Sequence, residues 1–547
     1  MPITPTYPGI YIEELPSSTH TITAAPTSIT VFVGYSHPFK TNPNNWNNAV
    51  QIFSFTDYER SFGGFFTDQA FDKDTNIGSL AQAVNQFFLN GGANAYVVGL
   101  QANYRDSSEN DMGKIEAATL TLPDATNGNI VFTALEPTDP DHPMTVTINN
   151  LRTSNPAPQS PPQSPPQLPD DVADITITYG SRVETYRKVS LDPTDQNFIE
   201  TRIGTGDPTK PQVSTLVTVA AIPESPPSGA SFTAVSEAAL QYKSTPASNW
   251  TVFSVADFFP VFQQDSSLDK LPIFNILVIP GVTKELILSE AIAFCEEKRA
   301  FFIMDPPPDK IADQGGINWI GDYMSNVSPK STNAALYFPY IVSTDPLTGK
   351  SVNLPPGGTV AGIYARTDTN RGVWKAPAGL ETTLANTAGV VTGGVMNDPR
   401  QGTLNPLGVN CLRTFPGIGT VVFGARTSVT ANPAFQQWRY VPVRRMALFI
   451  EQTLYNNLGW VIFEPNDDPL WVAIRTSIEN FMLSLFNQGA FQGSTPSQAF
   501  QVKCDSSTTT QDDINNGIVN IIVAFAPLKP AEFVIIKIAQ LAGQTQS

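Results

Sequence analysis

Asn410–Ser428, NCLRTFPGIGTVVFGARTS, and the run from Trp438 to Trp471, WRYVPVRRMALFIEQTLYNNLGWVIFEPNDDPLW, decide how this chain is read. They predict strand, helix, strand and helix in quick succession. Val421–Phe423 is β-branched and apolar, a strand. Arg444–Leu458 carries Met446, Ile450, Leu454 and Leu458 at every fourth position, a helix with one apolar face. Trp460–Phe463 predicts another strand, closed by Glu464-Pro465-Asn466. Asp468-Pro469 opens the next helix, with proline in its first turn and a stripe of Trp471, Ile474, Ile478, Phe481, Met482 and Leu485. Beyond it, Gly517–Phe525 and Glu532–Ala539 read as strands. The last has apolar residues on both faces, which suits a strand covered on both sides.

Upstream, an α/β pattern fills 249–345. Phe274–Pro280, Ala300–Met304 and Ala334–Val342 predict strands, and Lys284–Lys298 and Ile317–Val327 predict helices. The apolar face of the Lys284–Lys298 helix reads as 286, 287, 291, 294 and 295. The stretch 345–408 is turn-rich. The same pattern starts near the beginning of the chain, with Ile29–Gly34 as a strand, a short helix after a Thr56 cap, and Ala95–Gly99 as a strand. Between them Ser79–Asn90 is a helix, apolar at 80, 83, 84, 87 and 88. Between these halves, 101–248 is rich in Thr, Ser, Pro and Asp. Its short alternating runs fit antiparallel strands, and PAPQSPPQSPPQLP (156–169) reads as an extended loop. Residues 1–24 form an arm, since Pro2, Pro5, Pro8 and Pro16 forbid a helix.

The bulk numbers restrict the function. A chain of 547 residues exceeds one ordinary core, so several domains are expected. Charged residues are 15 %, below the roughly 25 % of an average soluble protein, and 33 Phe and 7 Trp accompany them. Depleted charge with abundant aromatics points to surface that meets other protein. A net charge of −17 with only two tight basic pairs, Arg187–Lys188 and Arg444–Arg445, excludes nucleic acid as a partner. Three distant cysteines form no framework and imply synthesis in a reducing compartment. No leader is visible after Met1 and no run approaches the ~20 apolar residues that span a bilayer, so cytoplasmic synthesis without membrane insertion is expected.

Catalytic signals are missing. PGIGTVVFG (416–424) leads into a strand rather than the helix a dinucleotide loop needs. His20, His37 and His142 lie in turn-like segments, so no metal or cofactor is expected. Asp467–Asp468 precede a helix, where carboxylates cap and favour the dipole. An α/β enzyme with a site at strand C-termini would have Asp305 as its acid, and a receptor- or glycan-binding module in 101–248 is a further alternative.

Several segments, in order, resemble contractile tail sheath proteins of phage tails and phage-tail-like injection systems. They are TYPGIYIEELPSSTHTITAAPTSITVFVG (6–34), SLAQAVNQFFLNGGANAYVV (79–98), FNILVIPG (274–281), FFIMDPPPD (301–309), GVWKAPAG (372–379), the opening stretch, NQGAFQG (487–493), FQVKCD (500–505) and APLKPAEFVIIKIAQ (526–540). The likeness is greater to extracellular injection particles than to two-chain sheaths. It implies a multidomain α/β (α+β) chain. The arm 1–24 precedes a sheath domain from 25–100 and 249–375. An inserted outer β-rich domain takes 101–248, a C-terminal core 376–528 and a terminal strand or arm 529–547. It further implies a non-enzymatic subunit of a virion or released particle. Such subunits stack helically in six-membered rings with themselves, and with paralogues, around an inner tube, between baseplate and terminal cap proteins. On this resemblance Tyr7, Ile10, Tyr11, Ile12, Phe533, Val534, Ile535, Ile536 and Ile538 are the inter-subunit arm strands, and Arg444, Arg445, Lys529 and Lys537 face the tube.

Overall fold

The computed structural model describes residues 20–67, 78–124, 128–139, 141–152, 171–207, 209–221, 232–241, 251–307 and 318–538. The first strand, β1 (Thr30–Tyr35), is buried at all six positions. β2 (Val50–Ile52) leads into α1 (Phe55–Phe62), which Ser54 caps by accepting from the Asp57 N–H, so the helix starts before the expected Thr56 cap. α2 (Ser79–Leu89) buries Leu80, Ala83, Val84 and Phe87, as its spacing predicts, and β3 (Ala95–Leu100) follows.

The chain then leaves this layer. β4 (Asn103–Arg105) and β5 (Asp111–Lys114) form a hairpin. β6 (Thr119–Asp124), β7 (Gly128–Ala134), β8 (Met144–Arg152), β9 (Val172–Tyr179), β10 (Arg182–Ser190), the short α3 (Ile199–Ile203), β11 (Val217–Ala221) and β12 (Val235–Ala239) come next. They build two antiparallel sheets, β10-β9-β8-β12 and β11-β7-β6. Alternate residues such as Val146, Ile148, Ile175 and Ile177 point into a separate core with Phe132 and Ile199, the period-2 burial of a strand with one wet face. Where the chain departs and returns, Arg105 and Thr251 exchange backbone hydrogen bonds of 2.7 and 2.9 Å, and Thr119 and Gln241 do so at 2.8 and 2.7 Å. The proline-rich stretch 156–169 lies outside the described residues.

β13 (Ile276–Val278), α4 (Glu285–Glu297), β14 (Phe301–Met304), α5 (Asn318–Asn326) and β15 (Ala334–Phe338) resume the layer. Leu286 is exposed and Leu288 buried, so α4 turns its apolar face one step from the expected one. A small sheet of β16 (Ile341–Thr344), β17 (Ser351–Leu354) and the later β18 (Gly389–Val390) brackets α6 (Gly357–Arg371). α6 corrects the turn-rich reading of 345–408. After α7 (Asp398–Leu404), β19 (Val409–Phe415) and β20 (Gly419–Val422) complete an eight-stranded sheet, β2-β3-β1-β13-β14-β15-β19-β20, parallel except at its two edges. The pleat sends Phe32, Val97, Ile276, Phe301, Ile303, Tyr337 and Leu412 to one face, under α1, α2, α6 and the start of α8 (Val441–Asn457). Val31, Val33, Leu277, Phe302, Met304, Leu336 and Cys411 go to the other, under α4 and α5. A sheet buried on both faces needs the near-continuous apolar strands seen here.

α8 is followed by a 3-10 turn at Gly459–Val461, where a strand was expected over Trp460–Phe463. α9 (Asp468–Asn487) is capped by Asp467 and buries its whole expected stripe. α10 (Pro496–Ala499), β21 (Phe500–Lys503), α11 (Gln511–Asn515) and β22 (Ile522–Phe525) pack on it, with β21 and β22 antiparallel. The expected strand Gly517–Phe525 is therefore only its second half. Glu532–Ile538 forms no strand with the described chain.

α6 crosses α2 at backbone contact. A Cβ on Gly358 would stand 2.3 Å from the Ala83 carbonyl oxygen, and one on Gly362 2.6 Å from that of Phe87. Gly358→Val is therefore expected to lower unfolding stability by roughly 3 kcal/mol, because neither helix can retreat from a packed core. Gly402→Ala, whose methyl meets nothing within 4 Å, is expected to leave it unchanged or slightly raised. Urea midpoints of the two variants check this contrast.

Candidate assembly interface

Residues 20–29 run along α8 and are held by side chains that stand in for a ladder. Asn457 accepts from the Thr23 N–H (2.9 Å) and donates to its carbonyl (2.8 Å). Thr453 Oγ1 accepts from the Ala25 N–H at 3.1 Å. Asn275 donates to the Pro26 carbonyl (2.8 Å) and accepts from the Ile29 N–H (3.0 Å). His20 stacks on Trp460 with ring centres 3.9 Å apart. Tyr7, Ile10, Tyr11 and Ile12 lie outside the described residues.

At the other end, β22 gives way to a segment tied to the body at Ala526 and again at Glu532. The Gln492 N–H donates to the Ala526 carbonyl (2.9 Å). The Glu532 carboxylate then accepts from Arg426 Nε (2.8 Å) and Nη2 (2.5 Å) and from the Tyr440 hydroxyl (3.1 Å). This fork-on-fork geometry holds direction as well as charge. Past the anchor, Phe533, Val534, Ile535, Ile536 and Ile538 are 73–93 % exposed. Lys537 among them and Lys529 before the anchor are also exposed. A β-branched run that is apolar on both sides and bare to water is an unpaired edge of the kind that templates pairing with another chain.

Two proposed tube contacts are corrected. Arg445 is buried, its side chain 3 % exposed. Its Nη1 and Nη2 donate to the Asp368 carboxylate (2.9 and 2.6 Å), Nη2 also reaches the Thr27 carbonyl (2.9 Å), and the guanidinium lies over the Tyr364 ring. The Tyr364 hydroxyl in turn meets that of Tyr337 at 2.6 Å. Its place in the stripe Val441, Arg445, Leu448, at i, i+4 and i+7, was the sequence signal for an inward residue. Arg444, one step round the helix, is 16 % exposed and occupied by Asn333 (2.8 Å), Glu451 (3.1 Å) and the face of Trp438.

Asp305 ends β14 and is fully buried. Its carboxylate accepts from the Gly281 N–H (2.9 Å) and the Gly357 N–H (2.6 Å), the latter at the start of α6. Burial pushes its pKa up to about 7 against the lowering effect of these two donors. It satisfies orphan donors of a helix start. His37 is buried, with Nδ1 accepting from the Phe39 and Lys40 N–H groups, and His142 pairs with Asp139. Among the described residues no cluster of His, Cys, Asp and Glu could hold a metal, the three cysteines are free, and no helix is long and apolar enough to cross a membrane. What the arrangement offers is surface for association: two pinned chain ends and a cavity of about 930 Å3 beside the C-terminal segment, lined in part by Trp374, Lys375, Phe423, Lys529 and Phe533.

An α/β body with a bare apolar segment at 533–538 is the frame in which comparison with known proteins is read. Residues 268–428 match the phage tail sheath protein central domain, and 434–540 the phage tail sheath C-terminal domain. The tail sheath protein of Vibrio phage KVP40 is 24 % identical over 210 residues, 38 % of this chain and 29 % of that one. That of Salmonella phage ViI is 27 % identical over 177 residues, 32 % of this chain and 26 % of its own. The match thus spans under a third of the length of these relatives. Among solved structures, the PVC sheath complex of an extracellular contractile injection system, in the contracted state, aligns with a TM-score of 0.57 at 21 % identity over 98 % of each chain. The contracted helical sheath of the anti-feeding prophage aligns with a TM-score of 0.55 at 21 % identity, over 98 % of this chain and 100 % of the other. The chain is thus similar to phage tail sheath proteins over 268–428 and 434–540, and its fold is that of the contractile sheath subunits. Its matches are structural proteins and not enzymes.

Arg445→Met is expected to cost about 3–5 kcal/mol of stability, since it strands the Asp368 carboxylate in the interior, whereas Arg444→Met costs about 1 kcal/mol or less. Chemical denaturation of both separates an inward role from a surface one. For Asp305 the folded pKa lies above the unfolded carboxylate value near 3.9. Its contribution is therefore present at low pH and lost as pH rises through about 7. Asp305→Asn removes that term, so its unfolding free energy should fall less than the wild type's between pH 5 and pH 8. Equal pH dependence in the two would contradict the assignment.

Proposed function

We propose that this chain is the polymerising subunit of a contractile sheath. It assembles as a helical stack of six-subunit rings around an inner tube, anchored at a baseplate and a terminal cap. It contracts to drive that tube through a target cell envelope. The observation that carries this reading is the bare segment Phe533–Ile538, apolar at five of its six positions and exposed to water just past the Glu532 anchor. Such a segment gains ladder bonds and burial by adding to a sheet edge of a neighbouring copy, as does the arm containing Tyr7, Ile10, Tyr11 and Ile12. Each ladder bond contributes only about 0.5–1.5 kcal/mol, but every subunit is linked several times, so the sleeve behaves as one mesh.

Contraction follows from two packings of rigid bodies that stay linked through their exchanged chain ends. A few kcal/mol gained per subunit on passing between the two is multiplied along the array, so no nucleotide is consumed during firing. Lys529 and Lys537 remain as exposed cations for contacts with the tube or with other sheath chains. The subunit is made in the cytoplasm and acts in a virion or a released tail-like particle.

Chains lacking residues 1–15, or lacking 533–547, are expected to fold with wild-type circular dichroism and unfolding midpoint yet form no sleeves. Negative-stain electron microscopy is the readout. Sleeves of ordinary length from either truncation would refute the exchanged-arm reading.

A further inference from the structure

α9 is a rod of 20 residues, about 30 Å long at 1.5 Å per residue, and its ends differ in character. Just ahead of its N-terminus, Ile462 is 66 % exposed and Phe463 fully exposed. Phe463 sits at φ 72°, a left-handed conformation that a bulky side chain rarely adopts. Glu464, Asp467 and Asp468 surround this tip, exposed, and neither Glu464 nor Asp468 has an ion pair among the described residues. Just beyond the C-terminus of the same helix, Gln488 and Gly489 help wall the 930 Å3 cavity. Trp374, Phe423 and Phe533 give it aromatic sides. Its arginines are already matched, Arg371 by Glu381 and Arg413 by Asp398, and its Glu532 by Arg426. Among the described residues Lys375 and Lys529 have no carboxylate partner, Lys375 donating instead to the Ala376 and Ala378 carbonyls, so the socket is net positive where the tip is net negative.

We infer that the Ile462–Phe463 tip of one copy seats in this cavity of a second copy, its acidic surround meeting Lys375 and Lys529. Knob and socket lie at opposite ends of one helix, so a chain cannot fill its own socket. The contact is head-to-tail, and such contacts extend into a helical array when they do not close. Aromatic walls and an exposed aromatic anchor are the pairing from which interfaces draw most of their affinity. This inference rests on the sheath reading and adds to it a contact made at the root of the C-terminal segment, around Lys529 and Phe533, rather than by strand pairing.

The test uses two single variants of the full chain, Ile462→Cys and Gly402→Cys. Gly402 lines the cavity and a Cβ there meets nothing within 4 Å, while the native cysteines are all buried. The two are mixed, allowed to assemble and treated with a short bifunctional maleimide. A cross-linked dimer that requires both variants is expected. Phe463→Ser, with an unchanged unfolding midpoint, is expected to raise the concentration needed for sleeves about tenfold or more, the effect of losing a buried aromatic anchor. Sleeves that form without the cross-link, or Phe463→Ser sleeves at the wild-type concentration, overturn the knob and socket and leave the sheath reading standing. Wild-type chain that forms no sleeves at all overturns the sheath reading, and the knob with it.

Discussion

The fold depends on the buried meeting of Arg445 with Asp368. One guanidinium joins α8 to α6, lies on the Tyr364 ring and holds the Thr27 carbonyl. Three stretches, two of them 77 residues apart and the third 418 residues before Arg445, are thereby fixed at one point, beneath the parallel sheet. Hydrophobic packing alone would let α8 slide or rotate on that face. A paired charge in an apolar setting has one acceptable partner, and any other register leaves both ions unsatisfied. The C-terminal core and the segment around Thr27 are consequently held to the sheet at this point.

The sheet itself is of the open parallel kind that elsewhere houses enzymes, with strand order reversing beside β1. In such folds the crevice past the strand C-termini is where ligands bind. Here the space beyond β13 and β14 is closed by Gly281, Asp305 and the first turn of α6, which bond to one another. The carboxylate that in an enzyme would face substrate serves as a helix anchor. Fold and function separate at this point, and the molecule's working surfaces have moved to its edges.

Helices with one wet face were legible in the sequence: α2 and α9 display their buried stripes at helical spacing, and α9 announces its own cap. α6 was not, since Gly357, Gly358 and Gly362 weaken its propensity and burial all round erases the amphipathic signal. Trp460–Phe463 is apolar and β-branched enough to read as a strand, yet it forms the corner between two helices, where local propensity loses to tertiary context. Arg445 was legible only to someone who counted it into the stripe with Val441 and Leu448. In the terminal segment the two-faced apolar pattern of Phe533–Ile538 was plain, but one chain's sequence does not say which molecule provides the covering strands.

The chain leaves for the β module and returns from it through two pairs of antiparallel residues, Arg105 with Thr251 and Thr119 with Gln241, and the Thr67 N–H of the body donates to the Glu136 carboxylate of the module. Its point of departure and its point of return are thus about 5 Å apart, the spacing of neighbouring strands. Any compact unit whose own termini stand that close presents the same boundary to the rest of the protein. A module whose entry and exit lie side by side can grow or shrink without moving the sheet from which it departs.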